Sequence, residues 1–311
     1  MAPEMLPLRE AIAPPARDTL RSTAMPTMVN VDGRLAGERE AVVSVFDHGF
    51  LFGEGVYEVL RTYRQRPFLF EPHMRRLRAS ADRIALPLPT TDAEIHGRIA
   101  ATIAAAQLPA EAYIRLLVTR GVGEIGYDPA NCPAPTIVVI VKPHVELPPE
   151  AYADGVKIAL VSVVRNHPDS VNPLIKSNNL LNNALAIQEA LKRGAAEALM
   201  KNHRGELAEC AMSNIFLVKD GAVRTPPTTA GLLAGVTRAF VLELAAKTGI
   251  RALEETLREA DVATADEMFF TSTTREIVPV VRVDDHLVGS GKPGPVTQRL
   301  RAAFAEALRT V

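Results

Sequence analysis

The chain has 311 residues, of which 47% are apolar and 23% are charged, and its formal net charge is −1. This composition is typical of a globular protein, and the length allows one large domain or two modest ones. The near-neutral charge provides no attraction for nucleic acid or an anionic membrane surface, and no segment approaches the ~18 consecutive apolar residues of a membrane span. We therefore expect neither nucleic acid nor a membrane as a partner.

The residues that usually bind metals or form disulfides are scattered along the chain. Its seven histidines occur at no metal-ligand spacing, and its two cysteines, Cys132 and Cys210, are far apart and outside any CxxC motif. We therefore expect no metal site and no disulfide framework, and we interpret the chain as a reduced, cytoplasmic protein.

The predicted elements begin after an extension. Residues 1–27 are rich in proline, alanine and charge and lack the apolar segment of a signal peptide, so they are predicted to be poorly ordered. Residues 28–49 predict a hairpin around an Asp-Gly turn, and residues 50–70 predict a second pair of strands. Apolar residues at helical spacing then predict helices over residues 71–86 and 92–107.

Two β-branched runs, residues 112–121 and 135–143, predict strands, and a proline-rich segment over residues 142–155 marks a domain boundary. After this boundary, residues 156–165 predict a strand and residues 177–194 a helix that ends at a glycine. Short strands follow, and then two helices that flank a further strand.

These elements together predict a mixed α+β fold with two domains. A small α/β N-terminal domain would extend over residues 28–146, a linker over residues 147–154 and a larger C-terminal domain over residues 155–311. The residues of chemical interest fall on loops near the boundary between the two domains.

Lys176 stands between an apolar stretch and a polar Ser-Asn-Asn run that leads into a helix. A surface lysine at this place would carry no function. A lysine in a partly desolvated site, however, loses its proton more easily and becomes a nucleophilic amine, which a Schiff base with an aldehyde cofactor requires. The lysine alone leaves both interpretations open.

Around Lys176 the chain resembles the class IV (fold type IV) pyridoxal-phosphate enzymes, which include branched-chain and D-amino-acid aminotransferases and aminodeoxychorismate lyases. The resemblance runs from about residue 28 to the C-terminus and is strongest to the branched-chain enzymes. It rests on eight stretches in the family's order: DHGFLFGEGVYEVLRTY, HMRRLRASA, YIRLLVTRGVG, IKSNNLLNNALA, ELAECAMSNIF, LLAGVTR, FFTSTTREIVPV and GSGKPGPVT. It implies pyridoxal 5'-phosphate as the cofactor, bound between the two domains.

The resemblance also implies the two central residues of the chemistry. Lys176 matches the lysine that carries the cofactor and moves a proton at the substrate Cα. Glu209 matches the carboxylate that keeps the pyridine nitrogen protonated, so that the ring can accept electrons. Glu206 is expected to be a solvated turn residue instead. Cys210 departs from the glycine that most relatives carry at this position.

A bound phosphate requires backbone N–H groups at the start of a helix, hydroxyl groups and a guanidinium group. The resemblance assigns these groups to residues in three separate stretches of the chain. The implied phosphate ligands are Arg76, Val236, Thr237, Thr273 and Thr274.

The substrate side is expected to include Phe52, Tyr57, Arg61, Tyr113 and Arg115. The stretch around Tyr113 and Arg115 looks most like that of the branched-chain enzymes. The D-amino-acid enzymes carry an arginine and a histidine in the loop after TRG, whereas this chain has GVGEIGYDP there. A D-amino-acid enzyme would need another cation for the substrate carboxylate, either Arg61 or Arg115.

Another feature favours the opposite interpretation. Branched-chain enzymes usually carry a tyrosine four or five residues after the lysine, where its hydroxyl meets the O3' atom of the cofactor. This chain has Leu180 and Leu181 at these positions, as the D-amino-acid enzymes tend to have. Phe52 also stands where many relatives have a tyrosine, which makes the expected pocket more apolar.

The resemblance therefore predicts transfer of an amino group from a branched-chain or other hydrophobic L-amino acid to 2-oxoglutarate. The reaction would run as two half-reactions through pyridoxamine phosphate, with ping-pong kinetics, in a homodimer. Three alternatives remain: a D-amino-acid or (R)-amine transaminase, a lyase of the aminodeoxychorismate type, and a non-catalytic protein on the same scaffold. The last should have lost Lys176 or Glu209, and both are present.

Overall fold

The computed structural model describes residues 27–309, so the predicted extension over residues 1–27 lies outside the described residues except for Thr27. Within the described part the chain forms fifteen strands and eight α-helices, and the strands form two separate sheets. The predicted α+β fold class is confirmed.

The first sheet is built from the part of the chain before residue 144. Its strands are β1 (Met28–Val31), β2 (Arg34–Gly37), β3 (Gly55–Tyr63), β4 (Arg66–Pro67), β5 (Ala112–Thr119) and β6 (Thr136–Pro143). They lie in the order β2-β1-β6-β5-β3-β4, and all neighbours are antiparallel. The helices of this part are α1 (His48–Leu51), α2 (Phe70–Arg83) and α3 (Asp92–Ala106).

The two faces of the first sheet differ because side chains alternate along each strand. On β5, Ile114 and Leu116 are fully buried beneath α2 and α3, together with Leu60 of β3. The intervening residues of β5, among them Tyr113 and Arg115, point to the other face. The first sheet thus buries one face against its helices and presents the other face to the second half of the chain.

A proline-containing segment joins the two sheets and carries the short helix α4 (Pro149–Ala153). The chain passes from the first sheet to the second here, between β6 and the next strand. The predicted linker over residues 147–154 lies in this segment. The exact domain bounds stay a prediction.

The second sheet has nine strands, and its central strands are almost entirely buried. They are β7 (Val156–Leu160), β8 (Ala198–Lys201), β9 (Leu207–Cys210), β10 (Asn214–Lys219), β11 (Ala222–Thr225), β12 (Ala252–Glu254), β13 (Glu267–Ser272), β14 (Glu276–Val283) and β15 (His286–Leu287). The order is β12-β11-β10-β13-β14-β7-β8-β9, with β15 paired to β14.

Four helices belong to this half: α5 (Leu181–Lys192), α6 (Val236–Lys247), α7 (Glu259–Thr264) and α8 (Pro295–Leu308). Helices α6 and α8 pack on each other and on β13, where Phe216 and Phe269 stack with their ring centroids 4.8 Å apart. Helix α5 packs against β7 and β8. These contacts fix where α5 and α6 begin, and both helices begin next to the cavity described below.

Three details differ from the expectations drawn from the sequence. The second strand of the first hairpin is the short β2, whereas the mostly apolar residues 42–46 that follow it are irregular and largely exposed. Helix α5 begins at Leu181, four residues later than predicted. Strand β14 and helix α8 were not predicted, and together they complete the second sheet and its cover.

None of the described helices is long and apolar enough to cross a membrane. Within residues 27–309 no group of three or more His, Cys, Asp or Glu side chains is arranged to hold a metal ion.

Candidate active site

A cavity of about 820 Å³ lies between the two sheets and is lined by residues of both. Its walls contain all but two of the residues that the sequence predicts for the site. Those present are Lys176, Glu209, Arg76, Val236, Thr237, Thr273, Thr274, Tyr57, Tyr113 and Arg115. Residues that are far apart in the sequence therefore share one space.

Lys176 is held by its backbone. Its carbonyl oxygen accepts a hydrogen bond from the Tyr57 N–H at 2.9 Å, and its own N–H donates to the Ser80 hydroxyl at 3.1 Å. Its Nζ atom lies 4.5 Å from the centroid of the Tyr57 ring and has no ion-pair partner among the described residues. The amine is thus positioned in the cavity and is not neutralised by a carboxylate.

Glu209 lies at the buried end of the cavity and is 5% exposed. The Arg165 guanidinium donates to one carboxylate oxygen at 2.8 Å, and the Asn214 amide donates to the other at 3.2 Å. Burial raises the pKa of Glu209, and the charge of Arg165 offsets part of this rise. A buried carboxylate with a raised pKa is a strong hydrogen-bond partner for a ring nitrogen that shares a proton with it.

Glu206 has a different role from the expected one. It is 8% exposed and not solvated, because Asn202 and Arg204 donate to its carboxylate at 2.9 and 2.8 Å. It does not line the cavity. The expectation that it is a solvated turn residue is therefore wrong, although Glu209 remains the glutamate of this stretch that lines the cavity.

Arg76 is fixed by a buried glutamate that the sequence analysis did not identify. Its Nε and Nη2 atoms donate to the two oxygens of Glu58 at 2.7 and 2.8 Å, and His73 contacts the same carboxylate at 2.7 Å. Burial would raise the pKa of Glu58, but Arg76 and His73 outweigh it and hold that pKa well below its ordinary value. Burial lowers the pKa of His73, so its neutral ring donates to the ionised Glu58.

Helix α6 begins beside Arg76 and presents the N–H groups of its first turn to the cavity. Arg76 donates to the Ala234 carbonyl at 3.0 Å, and no side chain caps the helix at Gly235. A Cβ atom at Gly235 would lie 1.9 Å from the Asn214 side-chain oxygen, so only glycine fits there. The N–H groups of Val236 and Thr237 are the kind of donors that bind a phosphate at a helix N-terminus.

The turn between β13 and β14 completes this part of the cavity with hydroxyl groups. Thr273 and Thr274 line the cavity, and so does Thr271, whose buried hydroxyl has no hydrogen-bond partner within the described structure. A guanidinium group, an uncapped helix start and several hydroxyls around one space form a donor set that fits a dianionic phosphate. The residues present therefore fit pyridoxal phosphate.

Three of the five predicted substrate residues line the cavity. Tyr57 lies under two cations, because the Arg115 guanidinium is 4.3 Å from its ring centroid on the side of β5 and Lys176 is also close to the ring. Tyr113 contacts Lys142 in the same way, at 5.0 Å. One face of the first sheet thus supplies aromatic rings and cations to the cavity.

The other two predicted substrate residues do not line the cavity. Arg61 is 2% exposed and forms ion pairs with Glu146 and Glu276, so its charge is already neutralised and it cannot serve a substrate carboxylate. Phe52 packs edge-on against His48 and lies 5.2 Å from the Tyr127 ring. The sequence placed Arg61 on the correct face of β3, but its two acidic partners are far away in the chain.

Comparison with known proteins agrees with this arrangement. Residues 55–283 match the family described as amino-transferase class IV. The chain is 40% identical to a putative branched-chain-amino-acid aminotransferase of Methanocaldococcus jannaschii, over 89% of this chain and 95% of that protein. It is 34% identical to a D-alanine aminotransferase of Listeria monocytogenes, also over 89% and 95% of the two chains.

Solved structures give the same result. The branched-chain amino acid aminotransferase of Escherichia coli superposes with a TM-score of 0.86 at 31% identity, over 90% of this chain and 94% of that one. A branched-chain amino acid aminotransferase of T.th., in complex with N-(5'-phosphopyridoxyl)-L-glutamate, superposes with a TM-score of 0.85 at 28% identity, over 92% and 95%.

The fold and the cavity are those of an enzyme that uses pyridoxal 5'-phosphate. The chain belongs to the class IV aminotransferases. The family, fold class and cofactor that the sequence indicates are confirmed.

The hydrogen-bonded pair of Glu58 and Arg76 yields a first prediction. Glu58→Gln should raise the dissociation constant of pyridoxal phosphate by about tenfold, because Arg76 loses the charged acceptor that holds its guanidinium at the cavity. Titration of the cofactor-free protein with pyridoxal phosphate measures this constant. Glu71→Gln, on the exposed side of α2, is the matched control. Equal affinities of the Glu58 variant and the unmodified protein would contradict the prediction.

Proposed function

We propose that this aminotransferase moves the amino group of a branched-chain or other hydrophobic L-amino acid to 2-oxoglutarate. The observation that carries this proposal is the single cavity in which Lys176 and Glu209 lie together with the proposed phosphate donors. The relatives named as branched-chain-amino-acid aminotransferases support the choice of substrate. Apolar side chains on the cavity wall, among them Val59, Leu147 and Ile175, suit a hydrophobic side chain.

Each proposed role follows from a contact described above. The cofactor, when bound, supplies an electron sink for the carbanion that forms at the substrate Cα. Lys176 would hold the cofactor through Nζ and then move the proton that leaves Cα. Glu209, kept in place by Arg165, would accept a hydrogen bond from the pyridine nitrogen. Arg76 and the start of α6 would bind the phosphate.

The main rival is a D-amino-acid transaminase, since D-alanine aminotransferases are also among the relatives. Arg61, one of two cations that could have served a D-amino-acid substrate, is buried in ion pairs. This leaves Arg115 as the predicted arginine that faces the cavity.

Adding one donor at a time, without an acceptor, separates the candidate reactions. L-Leu, D-Ala and (R)-1-phenylethylamine are mixed separately with the cofactor-loaded protein, and the absorbance of the cofactor is followed. We expect conversion to the pyridoxamine form with L-Leu. Conversion with D-Ala or the (R)-amine, and not with L-Leu, would overturn the substrate proposal. Turnover of an amino substrate without any 2-oxo acid would indicate a lyase.

Lys176→Ala should abolish turnover, with a loss of at least about 10²-fold, because no amine remains to move the proton at Cα. The absorption band of the lysine-bound cofactor should disappear at the same time. Lys192→Ala, at the exposed end of α5, is the control and should retain full activity. An active Lys176→Ala protein would sink the assignment of this residue.

Glu209→Gln should still bind the cofactor but slow the single-turnover rate with L-Leu by about 10²-fold, because an amide cannot keep the pyridine nitrogen protonated. Glu206→Gln is a demanding control, since Glu206 is also buried and also paired with an arginine, but lies away from the cavity. Thermal denaturation of both variants shows whether each retains its fold. An unchanged rate in Glu209→Gln would mean that another residue meets the pyridine nitrogen.

We also propose that the protein acts as a homodimer. Two loops of the first half expose large apolar side chains side by side: Val42, Val43, Val45, Phe46, Phe50, Val122, Ile125 and Tyr127. The loops are joined by hydrogen bonds, such as that from the Gly123 N–H to the Phe46 carbonyl. An exposed apolar surface of this extent is typical of a protein interface. It lies near the cavity, because Gly53 contacts the cavity residue Asn179.

The double substitution Phe50→Glu and Ile125→Glu should shift the protein from dimer to monomer, because it places two charges in the apolar interface. Size-exclusion chromatography with light scattering measures the mass. Leu287→Glu, at a separate exposed position on β15, is the control and should remain dimeric. A dimer that persists in the double variant would place the interface elsewhere.

A further inference from the structure

The basic side chains that line the cavity divide into two groups. Arg76, Arg165 and Arg275 each form an ion pair with a buried glutamate, at 2.7, 2.8 and 2.7 Å. Their charges are neutralised within the protein. His144 is near Glu146, and burial lowers its pKa, so this ring is neutral. None of these four side chains adds an uncompensated charge to the cavity.

The second group consists of Lys176, Arg115 and Lys142, which have no ion pair within the described residues. Lys176 is the proposed cofactor lysine, so two positive charges remain for a substrate. The Arg115 guanidinium lies on the Tyr57 ring and the Lys142 Nζ lies on the Tyr113 ring. An aromatic ring is a weak partner for a cation that is partly in water, so both groups keep most of their capacity to bind an anion.

The strand register places these two cations next to each other. Tyr113 on β5 is paired with Lys142 on β6, and Arg115 is paired with Ile140, two residues before Lys142. Arg115 and Lys142 are therefore diagonal neighbours on the same face of the sheet, within reach of one another for long side chains. An α-carboxylate needs a single cation, whereas two adjacent cations suit a further carboxylate on the substrate side chain.

We propose that Lys142 acts with Arg115 to bind the side-chain carboxylate of a dicarboxylic 2-oxo acid and so selects the amino acceptor. This inference rests on the proposed transamination and adds a residue that determines its specificity. Lysine carries its charge on a flexible stem of four carbons, so its ammonium can follow a carboxylate at different distances. Lys142 should therefore favour both 2-oxoglutarate and the longer 2-oxoadipate over monocarboxylic 2-oxo acids.

The effect belongs mainly to substrate binding. Lys142 is exposed at the edge of the cavity, and it lies on β6, away from Lys176 in the sequence. A cation that contacts only the distal end of the acceptor binds ground state and transition state alike, so its loss should raise KM more than it lowers kcat.

The test compares two acceptors with L-Leu as donor and the cofactor-loaded protein. 2-Oxoglutarate carries the distal carboxylate, and 2-oxohexanoate is a chain of similar length without it. Lys142→Met, which keeps the length of the side chain but removes its charge, should lower kcat/KM for 2-oxoglutarate by about tenfold and for 2-oxohexanoate by less than twofold. Lys142→Arg should retain most of the preference for 2-oxoglutarate. Lys192→Met is the charge-matched control and should change neither value.

Each outcome has a defined meaning. A loss in Lys142→Met that is equal for both acceptors, or no loss at all, overturns the role of Lys142 while the transamination itself stands. Failure of Lys142→Arg to restore the preference also overturns it, because a charge-based role requires rescue by another cation. An unmodified protein that accepts no 2-oxo acid at all refutes the proposed transamination and this inference together.

Discussion

The structure depends on a short backbone connection between the lysine segment and strand β3. The Tyr57 N–H donates to the Lys176 carbonyl, the Asn178 N–H donates to the Gly55 carbonyl, and Val56 and Ser177 form an antiparallel bridge. The lysine segment follows β7 of the second sheet in the sequence but is hydrogen-bonded to the first. These few bonds therefore hold the two halves together at the point where the proposed reacting amine lies, and the cavity exists because of them.

A second constraint is the pairing of buried charges. Glu58, Glu197 and Glu209 are each almost completely buried, and each is matched by one arginine that lines the cavity. Desolvation makes an unpaired buried carboxylate costly, whereas a matched pair with good hydrogen bonds is tolerated. The pairs also hold the arginines in one position. The same pairing decides which cations stay available to a ligand, since only side chains without an internal partner can bind an external carboxylate.

Much of the fold was predictable from local patterns in the sequence. Strand β5 alternates buried and half-buried residues along its whole length, and helix α2 buries Met74, Leu77 and Ala81 at helical spacing. The site residues of the family were predictable from motifs, because each motif keeps its own residue order. Lys176 and Glu209 were found in this way, and both line one cavity.

Features that depend on distant partners were not predictable. Arg165 and Glu58 gave no local signal, because each is defined by a side chain at least eighteen positions away. Arg61 was assigned wrongly for the same reason, since Glu146 and Glu276 reach it from two later segments. The exposed residues 42–46 have the composition of a strand but find no partner strand among the described residues. Sequence patterns report what a segment prefers locally, and these positions are decided by what folds against them.

The ring of Tyr57 has a consequence for the size of molecule that the cavity can accept. Lys176 and Arg115 both lie on this ring, so the reacting nitrogen and the guanidinium cannot be further apart than the sum of their two distances from its centre. The ring thereby sets an upper limit on the span between the reacting carbon and an anionic group held by Arg115. Compact amino acids fall within this span, whereas molecules whose charge lies many bonds from the amine do not.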